Sequence, residues 1–242
     1  MTFQGAIGGL ADVLFPPVCV HCGGLVGPGR FRHLCPRCAL GIDFVKPPHC
    51  SKCGYPFAGD MEGLRECPRC RELGPAFRGG CTATLFQGPV RSLLLELKYR
   101  RGWHVQEDLG EILCRSAGAL DRARGSVLVP VPLHPRKLRE RGYNQSELLA
   151  KSLAKGAGGG ARVVSCLRRV EDTPSQTALG RRERRSNLKN AFALARGASL
   201  TPGLRHVLVD DVFTTGSTVN SCAWALRRAG CMNIEVVTLS RG

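Results

Sequence analysis

The chain has 242 residues, 43% of them apolar, and carries a formal net charge of +16. That apolar share is enough for a packed core and argues against disorder, while no run of about 18 apolar residues exists to cross a bilayer. The first fifteen residues lack a basic leader and a small-residue cleavage site, so a cytoplasmic protein without membrane insertion is expected.

The charge is unevenly spread. Residues 1–74 carry 8 Lys/Arg and 6 Asp/Glu, and thiolates bound to metal would bring that part close to neutral or slightly acidic. Residues 136–190 carry 14 Lys/Arg against 5 Asp/Glu. Such concentration points to a polyanionic partner, for which nucleic acid and pyrophosphate both qualify.

Ile7, Leu10 and Leu14 are spaced for one face of a short helix that Pro16-Pro17 would stop. Next come Cys19-x2-Cys22 and Cys35-x2-Cys38, twelve residues apart, then Cys50-x2-Cys53 and Cys67-x2-Cys70, thirteen apart. In a reducing compartment such pairs mean metal rather than disulfides. The arrangement is an internal duplication of two zinc ribbons, each with four sulfurs and no open position, so two structural Zn2+ ions are predicted. Pairing of cysteines across the two halves stays open, and His21, His33 and His49 are surplus to filled sites. Cys81, Cys114, Cys166, Cys222 and Cys231 read as small core residues.

Leu73-Gly74-Pro75 suggests a boundary, giving a ribbon part over 1–74 and an α/β part over 75–242. In the latter, strand and helix signals alternate: a strand over 81–86, a helix face at Val90, Leu93, Leu94 and Leu97, a helix over 106–120, and a buried strand at 127–132. A helix over 146–155, strands over 162–167 and 192–194, a strand ending at Asp210-Asp211, a helix over 217–229 and a strand over 234–239 complete the series. A parallel sheet flanked by helices follows. Two segments stand out for charge. After Val131, Arg136, Lys137, Arg139 and Arg141 face one acid, Glu140; this is either a binding loop at a strand end or a solvated turn. Residues 168–190 form a long polar stretch with the length of a lid, in which 181–189 could make a short basic helix.

The stretch from His206 to Val219 organises the rest. An apolar strand ends in Asp210 and Asp211, turns through Thr214, Thr215, Gly216, Ser217 and Thr218, and enters a helix. Small hydroxyl and glycine residues let backbone N–H groups point at a phosphate, and the helix dipole favours an anion there. Taken alone, the loop favours an ordinary capped helix start. The acids change the balance: the stretch resembles the phosphoribosyl-pyrophosphate (PRPP) motif of type I phosphoribosyltransferases. With LKYRRG at 97–102, VPVPLHPRKLRERGYNQS at 129–146, TPSQTALGRRERRSNLKNAF at 173–192 and the cysteine pairs, the chain resembles the ComF/GntX family of competence-associated phosphoribosyltransferase-like proteins.

That resemblance implies a type I phosphoribosyltransferase-like sheet behind a double zinc ribbon and a role in DNA uptake during transformation. It implies that Asp210 and Asp211 hold the ribose hydroxyls, and are the catalytic carboxylates if there is turnover, while Thr214 to Thr218 hold the 5′-phosphate. Arg136 and Lys137 would face pyrophosphate with Mg2+, and Gln176, Arg184 and Asn187 would belong to the lid. The implied chemistry is displacement of magnesium pyrophosphate from the sugar by a nitrogen nucleophile. The alternatives are a non-catalytic protein that binds single-stranded DNA, with Tyr99, Trp103 and Tyr143 as stacking aromatics, and a PRPP-sensing scaffold for a helicase-like competence protein.

Overall fold

The computed structural model describes residues 16–59, 66–170 and 191–242. The expected N-terminal helix around Leu10 and the lid residues Gln176, Arg184 and Asn187 lie outside the described residues.

Five strands form one parallel sheet: β1 (Gly79–Leu85), β2 (Val127–Pro130), β3 (Arg162–Val163), β6 (His206–Phe213) and β7 (Ile234–Arg241), in the order β1-β7-β6-β2-β3. Alternation along the strands feeds two cores. Leu128, Val207, Val209 and Val237 face a layer built by α3 (Gly88–Tyr99), α4 (Gln106–Cys114), α5 (Ala117–Ala123) and α7 (Gln145–Ala157). Val127, Val129, Leu208 and Val236 face α8 (Ser217–Arg228), whose Val219, Cys222, Ala223 and Leu226 are buried.

The ribbons, which carry the short helices α1 (Pro36–Ala39) and α2 (Pro68–Leu73), attach to both faces. Cys19, Phe31, Leu34 and Cys35 belong to the first core, and Cys50, Cys53, Cys67 and Cys70 to the second. Between them the chain runs antiparallel beside β1, with Val45 N–H donating to Ala83 O and Leu85 N–H to Asp43 O, both at 2.9 Å. This cover satisfies an otherwise open sheet edge. Asp108 ties the first ribbon down from α4: its carboxylate accepts from the N–H groups of Arg32 (3.0 Å) and His33 (2.7 Å).

Three elements depart from expectation. The helix expected over 106–120 is two helices, because Ser116 adopts an extended conformation (φ −83°, ψ 107°) and restarts the chain as the cap of α5. The strand expected over 162–167 leaves the main sheet after Val163; a tight turn with Cys166 N–H on Val164 O precedes β4 (Leu167–Arg169), which pairs antiparallel with β5 (Phe192–Leu194). The basic segment after Val131 is a helix, α6 (Pro135–Arg141), rather than a loop. Pro135 at its first turn, His134 Nδ1 accepting from Arg136 N–H, an Arg136–Glu140 pair one turn apart and left-handed Gly142 at its end supply every helix signal.

Candidate functional site

Two four-cysteine clusters sit in the ribbons. Cys19, Cys22, Cys35 and Cys38 form one, and Cys50, Cys53, Cys67 and Cys70 the other, with all four sulfurs of each within 4.8 Å of one another. Cys22 and Cys35 sulfurs are 3.8 Å apart and those of Cys53 and Cys67 are 3.7 Å apart. A tetrahedron with Zn–S bonds of about 2.3 Å has an edge of about 3.8 Å, so the donor set fits zinc. Cys67 N–H donates to Cys50 sulfur at 3.3 Å. Hydrogen bonds from Cys53 and Cys70 pull the Cys50 thiol well below its usual range and push those of Cys53 and Cys70 up in return, so without metal the cluster concentrates its negative charge on one sulfur. The pairing stays within each half. The three histidines are engaged elsewhere, His21 with Ser92, His33 with Asp108 and His49 with the Cys50 carbonyl.

The second candidate site lies at the carboxyl ends of β2 and β6. From the central pair the chain steps outward to β3 on one side and to β7 on the other, which is the switch point where open α/β sheets bind ligands. Asp210 and Asp211 end the buried stretch of β6 and are 9% and 5% exposed. Ser146 Oγ donates to Asp210 Oδ1 at 2.9 Å, and Lys98 Nζ lies 2.6 Å from Asp211 Oδ2. Burial and the neighbouring Asp211 charge push the Asp210 carboxyl up to about 8, against the pull of the Asp211 N–H, Ser146 and Lys98. The pair therefore holds one proton near neutral pH.

The surrounding residues are fixed by local chemistry. Asn144 caps α7: its side chain accepts from Ser146 N–H at 3.1 Å and donates to Val131 O at 3.0 Å, fastening the Ser146 end of the helix to the end of the β2 segment. Tyr143 OH donates to Leu97 O, tying that turn to the end of α3 from which Lys98 projects.

Beyond the acids, Thr214 and Thr215 are exposed, and left-handed Gly216 (φ 80°) leads into α8. A Cβ at Gly216 would sit 2.5 Å from the Phe213 ring and 2.9 Å from Leu73, so only glycine lets the loop pass this close to the second ribbon. Thr215 Oγ1 accepts from Ser217 N–H at 3.3 Å. Nothing among the described residues accepts from the N–H groups of Thr214, Thr215 or Gly216.

The structure thus joins Asp210, Asp211 and the Thr214–Thr218 turn. Arg136 and Lys137 lie on exposed α6, where Arg136 pairs with Glu140 at 2.9 Å and Lys137 has no ion pair among the described residues. Two residues of the site were not assigned from sequence, Lys98 and Ser146. Both lie within the segments LKYRRG and GYNQS, yet nothing in their spacing foretells contact with acids far along the chain.

Ribbons with two four-sulfur centres, set before a parallel sheet that carries an acidic pair and an amide-rich turn, define a zinc-ribbon α/β protein. A family model described as a double zinc ribbon domain matches residues 10–71. Competence protein F of Haemophilus influenzae is 30% identical over 227 residues, covering 92% of this chain and 96% of that protein. DNA utilization protein YhgH of Salmonella typhimurium is 34% identical over 212 residues, covering 86% and 90%. Competence protein ComFC of Streptococcus pneumoniae is 27% identical over 113 residues, 47% of each chain. The chain belongs to the family of competence protein F and YhgH. No helix among the described residues is long and apolar enough to cross a membrane.

Proposed function

We propose that the chain is a type I phosphoribosyltransferase-like protein that binds PRPP with Mg2+ at residues 210–218 and acts in DNA uptake. The observation that carries the reading is the buried pair Asp210–Asp211 running directly into a turn whose amides have no partner among the described residues, at a helix start. Carboxylates accept vicinal hydroxyls and the turn accepts a phosphate, which together describe a ribose 5-phosphate. Lys98 and the basic helix α6 with Arg136 and Lys137 supply positive charge for pyrophosphate, and the lid role falls to Gln176, Arg184 and Asn187. Mg2+ would neutralise the leaving pyrophosphate if phosphoribose is transferred to a nitrogen acceptor. Every residue in the cradle serves recognition, and turnover requires a nitrogen acceptor in addition. The DNA role comes from relatives named for competence and DNA utilization.

Mg-PRPP at about a hundred times its dissociation constant is expected to raise Tm by roughly 5–10 °C, since such saturation adds about 2.7 kcal/mol. Ribose and Mg2+ without phosphate should leave Tm unchanged. No shift with Mg-PRPP would contradict the reading.

A second reading, single-stranded DNA binding, has its own observation. At the end of α3 the chain presents Tyr99 (75% exposed), Arg100, Arg101 and Trp103 (63% exposed) in one turn. Arg101 is held left-handed (φ 53°), and a Cβ on Gly102 would meet the Glu96 carbonyl at 2.8 Å. Aromatics beside cations suit stacked bases and phosphates, at about 1–3 kcal/mol per stacked base. Tyr99→Ala with Trp103→Ala should weaken single-strand binding at least tenfold, and reversing the charge of Arg100 and Arg101 should flatten the salt dependence by about two. An unchanged affinity and slope would remove DNA from this turn.

A further inference from the structure

The turn that would receive the 5′-phosphate is held from behind by one buried cation. Arg241, the last residue of β7, is 4% exposed and stands opposite Phe213 in the β6–β7 register. Its Nη1 donates to Phe213 O at 2.7 Å and to an oxygen of Gly242 at 2.8 Å, and also reaches Thr214 O. Its guanidinium carbon lies 5.0 Å from the centre of the Phe213 ring and 5.5 Å from that of Tyr55, two residues after Cys53 in the second ribbon. Nε and Nη2 are buried without a hydrogen-bond partner among the described residues, so the flanking rings are what surround them.

The consequence follows from peptide geometry. In a planar trans peptide the carbonyl of one residue points opposite to the N–H of the next. With the carbonyls of Phe213 and Thr214 both drawn to Arg241, the amides of Thr214 and Thr215 are turned the other way. These are the amides that nothing among the described residues uses.

We infer that Arg241 is a positioning residue of the 5′-phosphate cradle, fixing two peptide planes so that the amides of Thr214 and Thr215 are aimed at an anion before it arrives. The inference rests on the reading of 210–218 as a sugar-phosphate site. Donors oriented in advance bind more tightly than donors that must be ordered on binding. The second ribbon shares in the device, since Tyr55 packs on the guanidinium and Leu73 borders Gly216.

The test titrates the full-length, zinc-loaded chain with two probes, ribose 5-phosphate and Mg-pyrophosphate, in wild type, Arg241→Gln, Arg241→Lys and Tyr55→Ala. Arg241→Gln should weaken ribose 5-phosphate by about 30-fold while Mg-pyrophosphate changes by less than about twofold, because only the first probe depends on these amides. Arg241→Lys should recover part of the loss, and Tyr55→Ala should cost a few-fold on ribose 5-phosphate alone. Zinc content and Tm report whether each variant is folded; if Arg241→Gln is not, the Lys and Tyr55 variants decide by the same split between probes. Equal affinity for ribose 5-phosphate in wild type and folded variants, or an equal loss for both probes, overturns the role of Arg241. A wild type that binds pyrophosphate but no ribose 5-phosphate overturns the sugar-phosphate reading itself.

Discussion

Cys67→Ser is expected to release one of two zinc ions and to unfold much of the second core, whereas Cys22→Ser should do less damage. All four sulfurs of the second cluster are buried, and they share a core with Phe77, Phe213, Val219 and Cys222. Cys22 is exposed at the edge of the first. A structural zinc contributes on the order of 10 kcal/mol to a small metal domain, comparable with the whole stability of an ordinary domain. Elemental analysis should find about two zinc ions in wild type and about one in Cys67→Ser, with the variant melting early or aggregating. Retention of two ions and an unchanged Tm would contradict the cluster.

Lys98→Met should cost about 3 kcal/mol, a fall in Tm of roughly 6–12 °C, because it leaves Asp211 buried and unpaired. The ammonium is 19% exposed and the carboxylate 7%, so solvent screens the pair little. The loss should grow with pH. Asp210 has a folded pKa of about 8, above its ordinary 3.8. Its contribution to stability is therefore complete below about pH 4 and lost as pH rises through about 8, where a second buried charge must form beside Asp211. Removing Lys98 worsens that step, while Asp210→Asn removes it. Denaturant unfolding at pH 6 and pH 9 should show wild type losing stability relative to Asp210→Asn, with Lys98→Met losing most. A pH-independent gap between wild type and Asp210→Asn would place the shared proton elsewhere.

Much of this was legible in the sequence where chemistry is local. The four CxxC pairs specify both metal centres because four thiolates at this spacing have few other uses. The turn after Asp211 is readable because strand, acids, hydroxyls, glycine and helix follow one another without interruption. What escaped depends on where distant segments meet. Lys98 meets Asp211 across more than a hundred residues, and Arg241 sits behind the Thr214–Thr215 turn only because β7 lies beside β6. The division of 106–120 at Ser116 and the departure of the chain from the sheet at Val164 to Cys166 turn on single backbone conformations that hydrophobic spacing does not encode. In the segment after Val131, the dense positive charge masks Pro135 and Gly142, which bracket a helix.

Calorimetric titration with Mg-PRPP at pH 7 in two buffers of different ionisation enthalpy tests most directly whether Asp210 to Thr218 bind PRPP. Wild type should bind at one site and release about one proton, because Asp210 is largely protonated when free and must ionise to hold the cation and sugar. Asp210→Asn with Asp211→Asn should bind at least about a hundredfold more weakly. No binding by wild type, or equal binding by the double variant, would contradict the account.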